Sequence, residues 1–219
     1  MSTTHPLPSG RQQPSWFTEG LASSPVMGVF RGFSPTDTVR LAATAWDIGV
    51  AHVEVPIESP AAIPSLRAAV DAGRERGRRV GAGTIVTAEQ LRLAIAEGAA
   101  YAVSPGLDPT LIVEADRASI PFLPGVATAS EVLRAVALGF TWIKAFPASG
   151  LGVGWFEAMR GPFPEVRLVA TGGMNGRNAG EFVSAGASVV GVGGAFADPA
   201  QRALLAEIIS VHNTTATAR

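Results

Sequence analysis

Apolar residues come in short runs that repeat along the chain, each followed by a turn and then by a longer stretch with helical spacing. The runs fall at Val26–Phe30, His52–Ile57, Val80–Thr84, Tyr101–Ser104, Pro121–Pro124, Trp142–Phe146, Arg167–Thr171 and Val189–Val192. Short runs bounded by Gly, Pro, Ser and Asp are strand signals, and the amphipathic stretches between them are helix signals. Eight units, about 20–30 residues apart, predict an α/β fold of the (β/α)8 TIM-barrel type. A doubly wound sheet would call for a glycine-rich nucleotide fingerprint after the first strand, and Arg31-Gly32-Phe33-Ser34 is not one. A short helix is expected ahead of the first strand, over Ser15–Ala22.

The punctuation agrees with the order strand, then helix. Ser34-Pro35, Ser59-Pro60, Asp108-Pro109 and Asp198-Pro199 each put an N-cap type before a proline suited to the first helical position. Thr87-x-x-Gln90 and Thr128-x-x-Glu131 read as capping boxes, and Gly49, Gly98, Gly139 and Gly186 stand where a helix should stop. The expected organisation is a disordered tail over residues 1–14, a single barrel over 15–212 and a second disordered tail over 213–219.

Strand side chains alternate between the barrel interior and the helix layer. Val53, Val55 and Ile57 suit the helix side, which turns His52, Glu54, Pro56 and, if the strand runs on, Glu58 inward. By the same alternation Trp142, Lys144 and Phe146 share the inner face, as do Met27, Val29 and Arg31. His52, one pleat deeper than Glu54, reads as core. The third strand ends in Gly81-Ala82-Gly83-Thr84, the fourth in Ser104-Pro105-Gly106 and the fifth in Pro124-Gly125. These groups fall at the carboxyl ends of strands, where barrel enzymes build their sites. The last two strands end in Thr171-Gly172-Gly173 and Gly191-Val192-Gly193-Gly194. Paired glycines can make tight turns only, or can bring backbone N–H groups close to an anion such as phosphate.

Composition adds one fact to this pattern: Lys144 is the single lysine among 17 basic residues. A chain that uses arginine elsewhere keeps its one ionisable amine in an apolar strand. A desolvated lysine can lose its proton and become a nucleophile, which arginine cannot. The plainer alternatives are a snorkelling strand-end lysine, a structurally paired Glu54 and a rim salt bridge for Arg31. A net charge of −1 offers no basic field for nucleic acid. The absence of cysteine excludes disulfides, thiolate metal sites and Cys nucleophiles, and the scattered His5, His52 and His212 argue against a metal cluster. Neither a secretory signal nor a membrane-length apolar run is present, so a soluble cytoplasmic protein without membrane or nucleic-acid partners is expected.

Val29-Phe30-Arg31-Gly32, Val53-Glu54-Val55-Pro56-Ile57, Gly81-Ala82-Gly83-Thr84, Ser104-Pro105-Gly106, Pro124-Gly125-Val126-Ala127-Thr128, Ile143-Lys144-Ala145-Phe146-Pro147 and Thr171-Gly172-Gly173 occur in that order. Together they resemble the 2-keto-3-deoxy-6-phosphogluconate/phosphogalactonate aldolase family. The resemblance implies a class I aldolase, a homotrimer needing no cofactor or metal. It would cleave a phosphorylated 2-keto-3-deoxy-sugar acid to pyruvate and glyceraldehyde 3-phosphate. Carried onto this chain, Lys144 would form the Schiff base and Glu54 would shuttle protons. Arg31, Thr84, Pro105, Phe146 and Thr171 would contact the rest of the substrate. Gly172, Gly173, Gly193 and Gly194 would hold its phosphate.

Two departures stand out. The phosphogluconate branch has an arginine four residues after the glutamate, where this chain has Glu58, and the stretch from Glu54 to Pro60 is more similar to the phosphogalactonate branch. Unless Glu58 points outward or pairs with Arg31, it should weaken carboxylate binding. The last phosphate loop of the family often carries a serine, where this chain has Gly194-Ala195. The leading expectation is the phosphogalactonate aldolase. Its alternatives are the phosphogluconate aldolase, an isomerase or synthase barrel without imine chemistry, and a non-catalytic phosphosugar-binding protein.

Overall fold

The structure, a computed structural model, describes residues 13–217. Nine parallel strands are β1 (Val26–Val29), β2 (Val53–Pro56), β3 (Val80–Gly83), β4 (Ala102–Val103), β5 (Phe122–Leu123), β6 (Gly125–Val126), β7 (Trp142–Ala145), β8 (Arg167–Thr171) and β9 (Ala187–Val192). Their order around the sheet is β5-β4-β3-β2-β1-β9-β8-β7-β6. The ninth strand arises because the expected fifth is split. Pro124 has no N–H to give to a ladder, so the run breaks there into β5, which pairs with β4, and β6, which pairs with β7. The chain itself thus closes the ring, and the barrel expected from eight repeats is the observed fold.

Below the break β5 and β7 form no ladder, and the Gln13 side-chain amide spans the gap. Its Nε2 donates to Phe122 O at 3.2 Å and Trp142 O at 3.3 Å, while Oε1 accepts from Trp142 N at 3.0 Å. Gln13 and Pro14, read from sequence as tail, therefore belong to the fold; the rest of that reading, residues 1–12, lies outside the described residues.

The helices are α1 (Ser15–Ala22), α2 (Pro35–Asp47), α3 (Ile63–Glu75), α4 (Ala88–Ala96), α5 (Pro109–Arg117), α6 (Ala129–Ala137), α7 (Ala148–Leu151), α8 (Val153–Arg160), α9 (Ala179–Ser184) and α10 (Pro199–Thr217). Both expected capping boxes form, and Ser34 and Asp108 accept from Asp37 N and Thr110 N. Ser59-Pro60 opens only a 3-10 turn, Pro60–Ala62, and α3 starts after it. The helix α10 continues through Thr217, so the C-terminal tail does not start at Asn213. Its apolar side chains, Leu205 and Ile209, dock on the barrel.

Alternation sorts the apolar residues into two cores. Outward-facing Val26, Phe30, Val53, Val55, Val80, Ala82, Ile143 and Val190 pack under the helices. Each fully buried aliphatic side chain of this layer contributes roughly 1.5–3 kcal/mol. Inward-facing Met27, Tyr101, Val103, Leu123, Trp142, Val169 and Val189 fill the barrel, and Phe17 and Leu21 of α1 plug its amino end. His52 belongs to this plug, with its ring 5.3 Å from Phe17 and 5.1 Å from Tyr101. The inner face at the carboxyl end carries glycines and the buried polar side chains of Glu54, Lys144 and Thr171.

Candidate active site

The strand β7 is held where it carries the lysine: Lys144 N donates to Pro124 O at 2.8 Å, and Lys144 registers with Gly125 and Val169. Glu54 sits on β2 between Val29 and Gly81. Both side chains project inward, as their strand parity requires, and stand 5% and 1% exposed with Nζ 3.8 Å from Oε1. That separation is within ion-pair reach but longer than a hydrogen bond. Glu54 Oε2 is buried without a partner. Desolvation is the largest influence on each group. It lowers the Lys144 pKa, opposed by the charge of Glu54 and aided by that of Arg31. It raises the Glu54 pKa against the pull of Lys144 and Arg31. Both groups are pushed toward their neutral forms, which suits an amine to attack a carbonyl and a carboxyl group to carry protons.

Space for the carboxyl group comes from a missing side chain. A Cβ on Gly83 would lie 2.9 Å from Glu54 Cδ, and one on Gly81 would strike the Tyr101 ring. Tyr101 forms the floor beneath Glu54, its hydroxyl donating to Val53 O at 2.6 Å. Burial pushes its pKa well up, and the nearby Glu54 adds to this. Its place was missed from sequence, although alternation puts Tyr101, Val103 and Pro105 on one inner face.

Arg31, Thr84 and Glu58 meet above this pair. Arg31 Nη2 donates to Thr84 Oγ1 at 2.7 Å, and Nη1 donates to Glu58 Oε2 at 3.0 Å. Glu58 is thus paired with Arg31, one of the two arrangements under which its charge is tolerable. The expected third strand overran: it stops at Gly83, and Thr84 adopts φ +60°. A β-branched residue in this left-handed region costs about 1–3 kcal/mol, a strain found mostly at functional sites.

The glycine pairs follow β8 and β9, on the other flank of β1 from β2 and β3. Gly172 and Gly173 have φ of +94° and +79°, which disfavours a side chain at either. Gly193 passes Val29 O so closely that a Cβ would lie 2.5 Å from it, whereas a Cβ on Gly194 would meet nothing within 4 Å. Phe146 links the cup to the amine, its ring centroid 5.3 Å from Lys144 Nζ and its edge 3.0 Å from a Cβ placed on Gly172. Thr171 Oγ1 is buried without a hydrogen bond, on the inward parity of β8. Of the predicted site residues, Glu54, Phe146 and, through its charge, Arg31 act on the amine directly; Pro105 is tied to it only through its backbone, which presses on Gly125, the register partner of Lys144. Ser149 of α7 was not foreseen: its N–H donates to Gly172 O at 3.0 Å and its hydroxyl lies against Gly173. Among the described residues, no three His, Asp or Glu side chains cluster as a metal site would require, and no helix is long and apolar enough to cross a membrane.

Comparison with known proteins bears on this constellation. Residues 18–211 match the family described as KDPG and KHG aldolase. A 2-dehydro-3-deoxy-phosphogluconate aldolase of Treponema pallidum (strain Nichols) is 40% identical over 123 residues, 56% of this chain and 58% of that protein. A probable 2-dehydro-3-deoxy-6-phosphogalactonate aldolase of Rhizobium meliloti (strain 1021) is 30% identical over 82% of this chain and 84% of its own. The crystal structure of a KDPG aldolase from Legionella pneumophila, with pyruvate captured at low pH as a covalent carbinolamine intermediate, superposes with a TM-score of 0.73. It is 30% identical and covers 88% of this chain and 95% of that one. The buried Lys144–Glu54 pair at the mouth of a parallel barrel and these likenesses agree: the chain belongs to the KDPG and KHG aldolase family, a family of lyases.

Proposed function

We propose that the protein is a Schiff-base aldolase acting on 2-dehydro-3-deoxy-6-phosphogalactonate and releasing pyruvate and glyceraldehyde 3-phosphate. The observation that carries this reading is the buried Lys144 amine 3.8 Å from the buried Glu54 carboxyl group. Lys144 Nζ attacks the C2 ketone, and the carbinolamine hydroxyl leaves as water on a proton given by Glu54, which yields the protonated imine and leaves Glu54 as a carboxylate. Glu54, directly or through water, takes the C4 hydroxyl proton as the C3–C4 bond breaks; the bonding electrons flow into the imine to give an enamine and the aldehyde departs. Glu54 then returns a proton to C3, and hydrolysis of the imine frees pyruvate and the lysine.

The remaining residues bind. Phe146 and Pro105 wall the pocket and keep water from the amine, Thr171 adds a hydroxyl, and Gly172, Gly173, Gly193 and Gly194 receive the phosphate on backbone N–H groups. The galactonate assignment is supported by the run from Glu54 to Pro60 and by the Rhizobium relative's name. A cytoplasmic homotrimer completes the reading by family resemblance, and sedimentation would test the trimer.

Borohydride in the presence of pyruvate should leave a pyruvyl mass on Lys144. Absence of that adduct would reject imine chemistry, and an adduct without cleavage of either epimer would favour a phosphosugar-binding role. Faster turnover on the gluconate epimer would replace the galactonate assignment.

A further inference from the structure

Arg31 ends β1, which lies in the sheet between β9, with the Gly193–Gly194 half of the cup, and β2, with β3 beyond it. Its guanidinium could serve either side of the mouth. It turns toward β2 and β3, where Nη1 reaches Glu58 and Nη2 reaches Thr84. This direction has a consequence for Thr84. An arginine N–H only donates, so Thr84 Oγ1 is the acceptor and its own hydrogen is free to be given away. The 2.7 Å bond from Arg31 holds the Thr84 hydroxyl at the point where its backbone, at φ +60°, turns out of β3. A hydroxyl donor and the unused N–H groups of a guanidinium then stand side by side, a two-pronged fit for a carboxylate. The buried amine and Glu54 lie beneath: the charge of Arg31 is felt by both.

We infer that Glu58 is a positioning residue: by pairing with Arg31 it assigns the guanidinium, together with Thr84, to the substrate's keto-acid carboxylate and withholds it from the distal phosphate. The inference rests on the aldolase reading above and deepens it. Glu58 also carries a negative charge near the incoming carboxylate, so an opposite role, competition for Arg31, is chemically conceivable. The Arg31 and Glu58 side chains are 49% and 36% exposed, so solvent weakens that repulsion while leaving the short contact that sets the guanidinium's direction.

The two roles have opposite signs in one experiment. Pyruvate alone is the probe, because it carries the carboxylate and ketone but no phosphate. The Lys144 adduct is trapped with borohydride and counted by mass against pyruvate concentration. Glu58→Gln should raise the half-saturating pyruvate concentration by about 3- to 5-fold, the scale of an exposed ion pair. Adduct yield at saturation, melting temperature and protection by inorganic phosphate should stay unchanged. Glu58→Asp should recover part of the loss, and in an Arg31→Ala background Glu58→Gln should add nothing further. An unchanged or lowered half-saturation in Glu58→Gln, or an additive effect in the Arg31→Ala background, overturns the inference while leaving the aldolase reading intact. No adduct in the unsubstituted protein overturns both.

Discussion

The two ends of the barrel interior bury ionisable groups to opposite effect. At the amino end, His52 lies among Phe17, Trp16 and Tyr101, with Nε2 3.0 Å from Phe17 O. That carbonyl only accepts, so Nε2 carries the hydrogen between them. Burial lowers the ring's pKa and so favours its neutral form. At the carboxyl end, Glu54 and Lys144 are buried as deeply, yet they face each other across 3.8 Å beneath a mouth lined by Gly83, Gly172 and Gly193. The amino end leaves His52 Nδ1 buried and unpaired, and the carboxyl end leaves Glu54 Oε2 and Thr171 Oγ1. The difference lies in what surrounds those atoms. Aromatic packing that fills the space makes a structural group; glycines that leave space beside an unsatisfied one make a site. Depth of burial alone does not separate the two.

The sharpest way to break this contrast is to remove the amine. Lys144→Arg should fold normally yet lose aldolase turnover by at least about 10⁴-fold and form no pyruvyl adduct, because guanidinium supplies no free amine near neutral pH. Residual turnover above that level would show that the carboxyl end works without an imine. Glu54→Gln comes next: turnover should fall by about 10²- to 10⁴-fold while pyruvate is still trapped slowly, as expected on loss of a proton carrier. Cleavage at the original rate would make Glu54 structural, like His52.

Substitutions at the amino end should behave in reverse. Phe17→Ala should cost about 3–5 kcal/mol of stability, measured by urea unfolding, and leave kcat within a few-fold at temperatures where the protein stays folded. A large loss of kcat in the folded variant would tie the plug to the chemistry. The smallest effect is acid sensitivity. His52 has a folded pKa below 6.5, so the unfolded chain binds more protons as pH falls through 6.5. The stability that neutral His52 contributes is complete above 6.5 and is lost progressively below it. His52→Gln should flatten that part of the melting-temperature profile between pH 7.5 and 5.5, and an unaltered slope would mean that other groups govern it.

The sequence by itself determined the barrel and the facing of its key side chains. A period of two in the strands places Glu54 and Lys144 inward, and caps and glycines mark where each helix starts and stops. These are local properties, governed by backbone geometry and by the first few neighbours along the chain. Tertiary structure alone decided what meets what. Only ring closure brings β2 across from β7 and sets the lysine beside the glutamate, and only there does Pro124 become a seam that the Gln13 amide spans. The turn of Thr84 out of the strand, the hold of Glu58 on Arg31, the floor made by Tyr101 and the arrival of Ser149 at the glycine cup all depend on contacts distant in sequence. Such contacts are fixed by how whole elements pack, and the pattern along one strand carries no record of them.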